Sequence, residues 1–143
     1  MKNLLTLAVL LVGLTFASCK KDEVASSDVA FMAMLSGSEE VPAVTTTATG
    51  MFDGVYNKDT KILTYTITYS GITPTAWHIH KAAKGATGGV IFPLGTTFSS
   101  PFKSATVALT AEQETDLMAG NYYVNIHSAK SASGEIRGQL LKQ

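Results

Sequence analysis

The chain has 143 residues, with 11 basic and 11 acidic side chains, no net charge, and 45% hydrophobic against 15% charged residues. A balance of this kind lacks the basic surface that a polyanion requires, so nucleic acid is excluded as an expected partner. The length suits one domain with one core rather than several, and a single cysteine, Cys19, rules out an internal disulfide.

In chain order the first element is a leader. Lys2 gives it a positive start, residues 4–14 form an apolar run, and Phe16, Ala17 and Ser18 close it ahead of Cys19. The run is too short to span a bilayer comfortably, and the pattern reads as a cleavable signal peptide over residues 1–18. Phe16-Ala17-Ser18-Cys19 resembles the bacterial lipobox. That resemblance implies a diacylglycerol on the Cys19 sulfur, cleavage before it, and further acylation such as palmitate, so that several chains together anchor the protein to a membrane. Residues 19–28 are polar and charged and read as a flexible tether. Within them Lys21-Asp22-Glu23 resembles the lysine-plus-acidic export signal of Bacteroidetes surface lipoproteins. The expected address is therefore the outer membrane, with the domain on the cell surface or facing the periplasm toward a partner that the sequence does not name.

The folded domain is expected over residues 29–143. From Asp28 the pattern turns to period two, Phe31, Ala33 and Leu35 against Met32 and Met34, which predicts a strand. Thr-, Tyr- and Ile-rich runs at 46–56 and 62–69, separated by Asn57-Lys58-Asp59-Thr60, predict a hairpin whose second arm has one wet and one buried face. Further strands are expected at 76–80, 90–94 and 104–109, within a loop-rich stretch marked by Gly85, Gly88 and Gly89. Thr110 followed by Glu112, Gln113 and Glu114 reads as the cap and first turn of a short helix ending before Gly120. Residues 122–127 and 135–141 form a final hairpin. About seven to eight short strands with one short helix predict an all-β, antiparallel sandwich or barrel.

The three histidines, His78, His80 and His127, all fall on predicted strands. Residues two apart on a strand share a face, so His78 and His80 stand together with Trp77 and Ile79 behind them, and His127 shares a face with Asn125 and Tyr123. If these strands are neighbours, three imidazoles converge. Such a set suits copper or zinc, with Asn125 and Glu135 able to orient the rings; the alternative is that the rings are hydrogen-bonded supports between strands. Met32 and Met34 carry thioethers that suit copper(I), but methionine on a strand is expected as core filler. Glu40 is expected as an acceptor that stabilises a turn, and Arg137 as a residue that closes the last hairpin or pairs with Glu135. No nucleophile elbow or phosphate loop occurs, and no catalytic residue is expected.

Several blocks together have a familiar order: Leu35-Ser36-Gly37-Ser38-Glu39-Glu40-Val41-Pro42, Ala48-Thr49-Gly50, His78-Ile79-His80, Tyr123-Val124-Asn125-Ile126-His127 and Gly134-Glu135-Ile136-Arg137-Gly138-Gln139-Leu140. They resemble the CHRD domain, named for the repeats in chordin, from about Ala30 to Leu141. The resemblance implies an immunoglobulin-like β architecture and an extracellular location, and it implies no settled enzymatic activity. Lys81 departs from the pattern, which often has Gly there. The pairing of His-x-His with a late histidine also looks distantly like Cu/Zn superoxide dismutase, whose two metal sites need more histidines than this chain's three. The expectation is a non-enzymatic binding or structural module on a lipid anchor, with a copper- or zinc-binding lipoprotein as the alternative.

Overall fold

The computed structural model describes residues 26–143; the expected signal peptide, the lipid site at Cys19 and tether residues 19–25 lie outside the described residues. Strand β1 (Asp28–Ser36) alternates exposed and buried side chains along its length. It pairs antiparallel with β2 (Thr49–Asn57) from Asp28 opposite Asn57 to Ser36 opposite Thr49, and β2 pairs likewise with β3 (Ile62–Ser70). The turn between β2 and β3 is held by one side chain. Asn57 Oδ1 accepts from the backbone N–H groups of Asp59 and Thr60, at 3.1 and 2.8 Å, the local bonding that makes asparagine a turn former.

The remaining elements are a 3-10 turn (Gly37–Glu39), β4 (Pro74–Lys81), β5 (Val90–Pro93), β6 (Phe102–Ala105), α1 (Ala111–Met118), β7 (Tyr122–Ser128), β8 (Ile136–Gln139) and β9 (Leu141–Lys142). All pairings are antiparallel, in the order β5-β4-β7-β8-β1-β2-β3-β6, with β9 paired to β1. The described chain is thus all-β with one short helix. Its strands form one hydrogen-bonded sheet, curled so that distant strands meet over a common core. Trp77 of β4 lies 4.5 Å, centroid to centroid, from Phe102 of β6 and 6.0 Å from Tyr69 of β3, although those strands are far apart along the sheet. Trp77 also donates through Nε1 to the Gly95 carbonyl at 3.1 Å, so its polar edge is satisfied inside an apolar cluster.

Three expectations shift. The strand expected at 104–109 is instead Phe102–Ala105, because Phe102 turns inward onto Trp77 and Tyr65. Beyond it the chain follows β3 irregularly, with Thr106 Oγ1 accepting from the Leu63 N–H. Among the described residues the strands number nine, not seven or eight, because the last hairpin arm divides at Leu140; that side chain is fully buried, and the chain on both sides of it pairs with β1. Gly138 allows the close approach of β8 to β1: a Cβ there would sit 2.5 Å from the Met34 carbonyl oxygen. Thirdly, Met32 and Met34 are not core filler, since both point outward and are 37% and 66% exposed.

The helix starts as the sequence predicts. Thr110 Oγ1 accepts from the Gln113 N–H at 3.2 Å and Gln113 Oε1 accepts from the Thr110 N–H at 2.9 Å, a reciprocal capping box. Leu117 is its buried anchor. Among the described residues no helix is long and apolar enough to cross a membrane.

Candidate metal centre

Strands β4 and β7 are neighbours, with Ala76 opposite His127, His78 opposite Asn125 and His80 opposite Tyr123. The period of two divides them cleanly. Trp77, Ile79, Val124 and Ile126 go into the core, while His78, His80, Tyr123, Asn125 and His127 stand together on the other face. Ring centroids of His78 and His127 are 4.9 Å apart, those of His78 and His80 5.5 Å, and those of His80 and His127 6.4 Å. One ring nitrogen from each lies within 4.8 Å of the other two.

Two backbone carbonyls set the rings. His80 Nδ1 lies 2.9 Å from the Gly88 carbonyl oxygen and His127 Nδ1 2.9 Å from that of Ala132. A carbonyl only accepts, so both Nδ1 atoms carry the proton and both Nε2 atoms present a lone pair. Nε2 of His80 is buried with no hydrogen-bond partner, and Nε2 of His127 lies 3.1 Å from His78 Nδ1. Burial holds His78 below the ordinary imidazole range, helped by the neighbouring His127 and His80. Burial likewise lowers His80, against the raising effects of its bond to Gly88 and of the Asn125 amide beside it. Imidazole lone pairs are what a transition metal takes, and here the proton between His78 Nδ1 and His127 Nε2 must leave before both nitrogens can bind. A tetrahedral ion about 2.0–2.1 Å from each nitrogen would hold ligand atoms roughly 3.4 Å apart, so a pair as wide as 4.8 Å must close by about 1.4 Å, within reach of side-chain rotations.

The flanking residues fix the ring of His80. Tyr123 stacks on it with centroids 4.8 Å apart and planes 6° from parallel. From the strand on the other side of β7, the Arg137 guanidinium carbon lies 3.4 Å from the Tyr123 ring centroid. Arg137 is 2% exposed and donates to Gln139 Oε1 at 3.3 Å. Gln139 in turn donates to the carbonyls of Ala82 and Gly120, at 2.9 and 2.7 Å. Loop, stack and strand are thereby tied into one wall.

The other expected site residues fall as follows. Asn125 sits between His78 and Arg137 in register, with Nδ2 3.5 Å from the Ser133 carbonyl and Oδ1 buried and unpartnered. Glu135 does not orient an imidazole: its carboxylate accepts from Thr46 Oγ1 at 2.6 Å and from the Ser128 hydroxyl. Those two bonds hold it below the usual carboxylate range. The orienting role is filled by the Gly88 and Ala132 carbonyls, and no residue type announces a backbone oxygen. Arg137 stacks on Tyr123 rather than pairing with Glu135. Glu40, expected as an acceptor that stabilises a turn, is 8% exposed, with Oε1 buried and unpartnered. Burial pushes its carboxyl up to about 7, against the pull of Arg137 and of the bonds to Asn125 and the Val41 backbone.

A curled all-β domain with a buried apolar side and a walled polar face is the architecture of a binding or structural module. The CHRD domain family model matches residues 31–140, and the chain belongs to that family. No curated protein and no solved structure matches the chain.

Proposed function

We propose that this CHRD domain is a non-enzymatic binding module of the cell envelope and that its outer face takes a copper or zinc ion through His78, His80 and His127. One observation carries the reading: three ring nitrogens, one from each histidine, lie within 4.8 Å of one another, beside a buried His80 Nε2 that has no hydrogen-bond partner. A buried polar atom with nothing to bond to is costly unless something occupies its lone pair. Asn125, opposite His78 on the same face, flanks the set, and the fourth position of a tetrahedral ion would face solvent or a partner. The same reading has a lipid on Cys19 and a charged tether that would hold the module at the outer membrane, at the cell surface or toward the periplasm. An immunoglobulin-like arrangement belongs to the same reading, since the β5-β4-β7-β8 and β1-β2-β3-β6 halves of the sheet face each other across the core as two layers of a sandwich would.

The experiment is element analysis of protein purified without an affinity tag, followed by Cu²⁺ and Zn²⁺ titration of the wild type and of H78A/H80A/H127A. The expected result is one tight site that the triple variant lacks. Equal binding by both proteins overturns the metal reading and leaves the rings as strand supports. Labelling with a palmitate analogue, compared with C19S, and protease shaving of whole cells test the address.

A further inference from the structure

Methionine offers a strand neither β-branching nor polarity, yet Met32, Met34 and Met51 stand together on the outward face of β1 and β2. Three of the five methionines in the sequence are in this one place. Met34 is directly opposite Met51, and Met32, two residues along, is opposite Asp53. The surrounding outward positions, Thr49, Asp53, Thr66 and Thr68, are polar, as a wet face requires. Directly opposed Cβ atoms lie roughly 5 Å apart and diagonal ones roughly 7–8 Å, distances that long side chains bridge. Met34 and Met51 border a surface hollow of about 340 Å³ with Gly50 and Thr68. Met32 and Met34 border a second, of about 250 Å³, with Glu39, Lys84 and Gln139.

A thioether is a soft, uncharged donor that holds copper(I) or silver(I) and leaves Zn²⁺, Mg²⁺ and Ca²⁺ to harder ligands. We propose that Met32, Met34 and Met51 form a second metal site, distinct from the histidine cluster, that takes a soft monovalent ion of the copper(I) type. The two sites share one face of the sheet: His80 is opposite Tyr123, Tyr123 is opposite Gln139, and Gln139 lines the same hollow as Met34. With strands about 4.8 Å apart, three spacings place His80 and Met34 on the order of 14 Å from each other. The thioethers do not titrate, so binding at this site is independent of pH in the range where imidazoles gain protons.

The test uses the protein with ¹³C-labelled methionine methyl groups, first saturated with Zn²⁺, and adds Ag⁺ or anaerobic Cu(I) buffered by bicinchoninate. The methyl resonances of Met32, Met34 and Met51 are expected to shift together while that of Met118 stays in place. The M32L/M34L/M51L variant keeps the apolar volume and is expected to bind Cu(I) at least about tenfold more weakly, equally at pH 7.5 and pH 5.5. Unmoved methyl resonances at saturating Ag⁺ overturn the proposal, as does Cu(I) affinity in the leucine variant within about twofold of wild type. Should that variant not fold, the wild-type methyl spectra decide alone.

Discussion

Nδ1 of His78 lies 3.1 Å from Nε2 of His127, and the bond has one direction. His127 gives its Nδ1 proton to the Ala132 carbonyl, so its Nε2 accepts and His78 Nδ1 donates. A metal held between these two nitrogens needs both bare, and the His78 proton must leave Nδ1. Long-range ¹H–¹⁵N spectra of the metal-free protein are expected to show Nδ1–H tautomers at His78 and His127, with the His78 Nδ1 proton lost on addition of Zn²⁺. Persistence of that proton at saturation would place the ion elsewhere. Since burial holds His78 and His80 below the ordinary imidazole value of 6.5, affinity is expected to survive to lower pH than for a free imidazole site and then to fall as the rings protonate.

Glu40 gives a second pH dependence with the opposite sign. Its folded-state value of about 7 stands above the ordinary 4.5, so the fold favours the neutral acid. That contribution is complete below pH 4.5 and is lost as pH rises through about 7. For His78 and His80 the folded values are depressed, so their contribution is complete above 6.5 and falls as pH drops below it. Glu40→Gln keeps the shape and removes the charge. Urea unfolding is expected to find E40Q more stable than wild type at pH 8 and close to it at pH 5. A variant no more stable than wild type at pH 8 would show that Arg137 compensates the buried carboxylate in full.

Much of this site was legible in the sequence because a strand has a period of two. His78 and His80 had to share a face with each other, and His127 with Asn125 and Tyr123, whatever the register. That β4 pairs with the distant β7 as well as with β5 was not legible, since alternation fixes a face and not a neighbour. Roles that fall to main-chain oxygens, as at Gly88 and Ala132, leave no mark in residue type. Glu135 misled for a related reason: a carboxylate beside a histidine strand suggested an imidazole partner, while the hydroxyls of Thr46 and Ser128 were closer in space and distant or ambiguous in sequence. Met32 and Met34 alternate correctly with Phe31, Ala33 and Leu35, so the strand was plain; which face was wet depended on the aromatic side of the curled sheet.

Arg137 is buried with no carboxylate in an ion pair with it among the described residues, and its planar contacts decide its worth. The guanidinium lies over Tyr123, which stacks in turn on His80, and lysine cannot reproduce either the flat face or the bond to Gln139. Arg137→Lys is expected to cost about 1–3 kcal/mol of stability, as a cation–π contact and a charged hydrogen bond are lost together. Thermal unfolding measures the cost, and metal affinity is expected to weaken far less than for H80A. A fully stable R137K protein would show that charge alone suffices at this position.

Gly134 is where the loop between β7 and β8 meets the buried polar wall. Its φ of +130° is open to glycine and strained for other residues. A Cβ would also run into Glu40 Oε1 and come within 2.7 Å of Asn125 Nδ2. Neither group has free space to retreat, since Glu40 and Asn125 are both buried. Gly134→Ala is therefore expected to destabilise the domain by about 2–4 kcal/mol, combining backbone strain with displacement of a buried acid and amide. Because Asn125 stands opposite His78, the same substitution is expected to weaken Zn²⁺ binding even where the protein remains folded. Folded G134A protein with wild-type Zn²⁺ affinity would separate Asn125 from the metal site and leave Glu40, Asn125 and Gly134 as a purely structural contact.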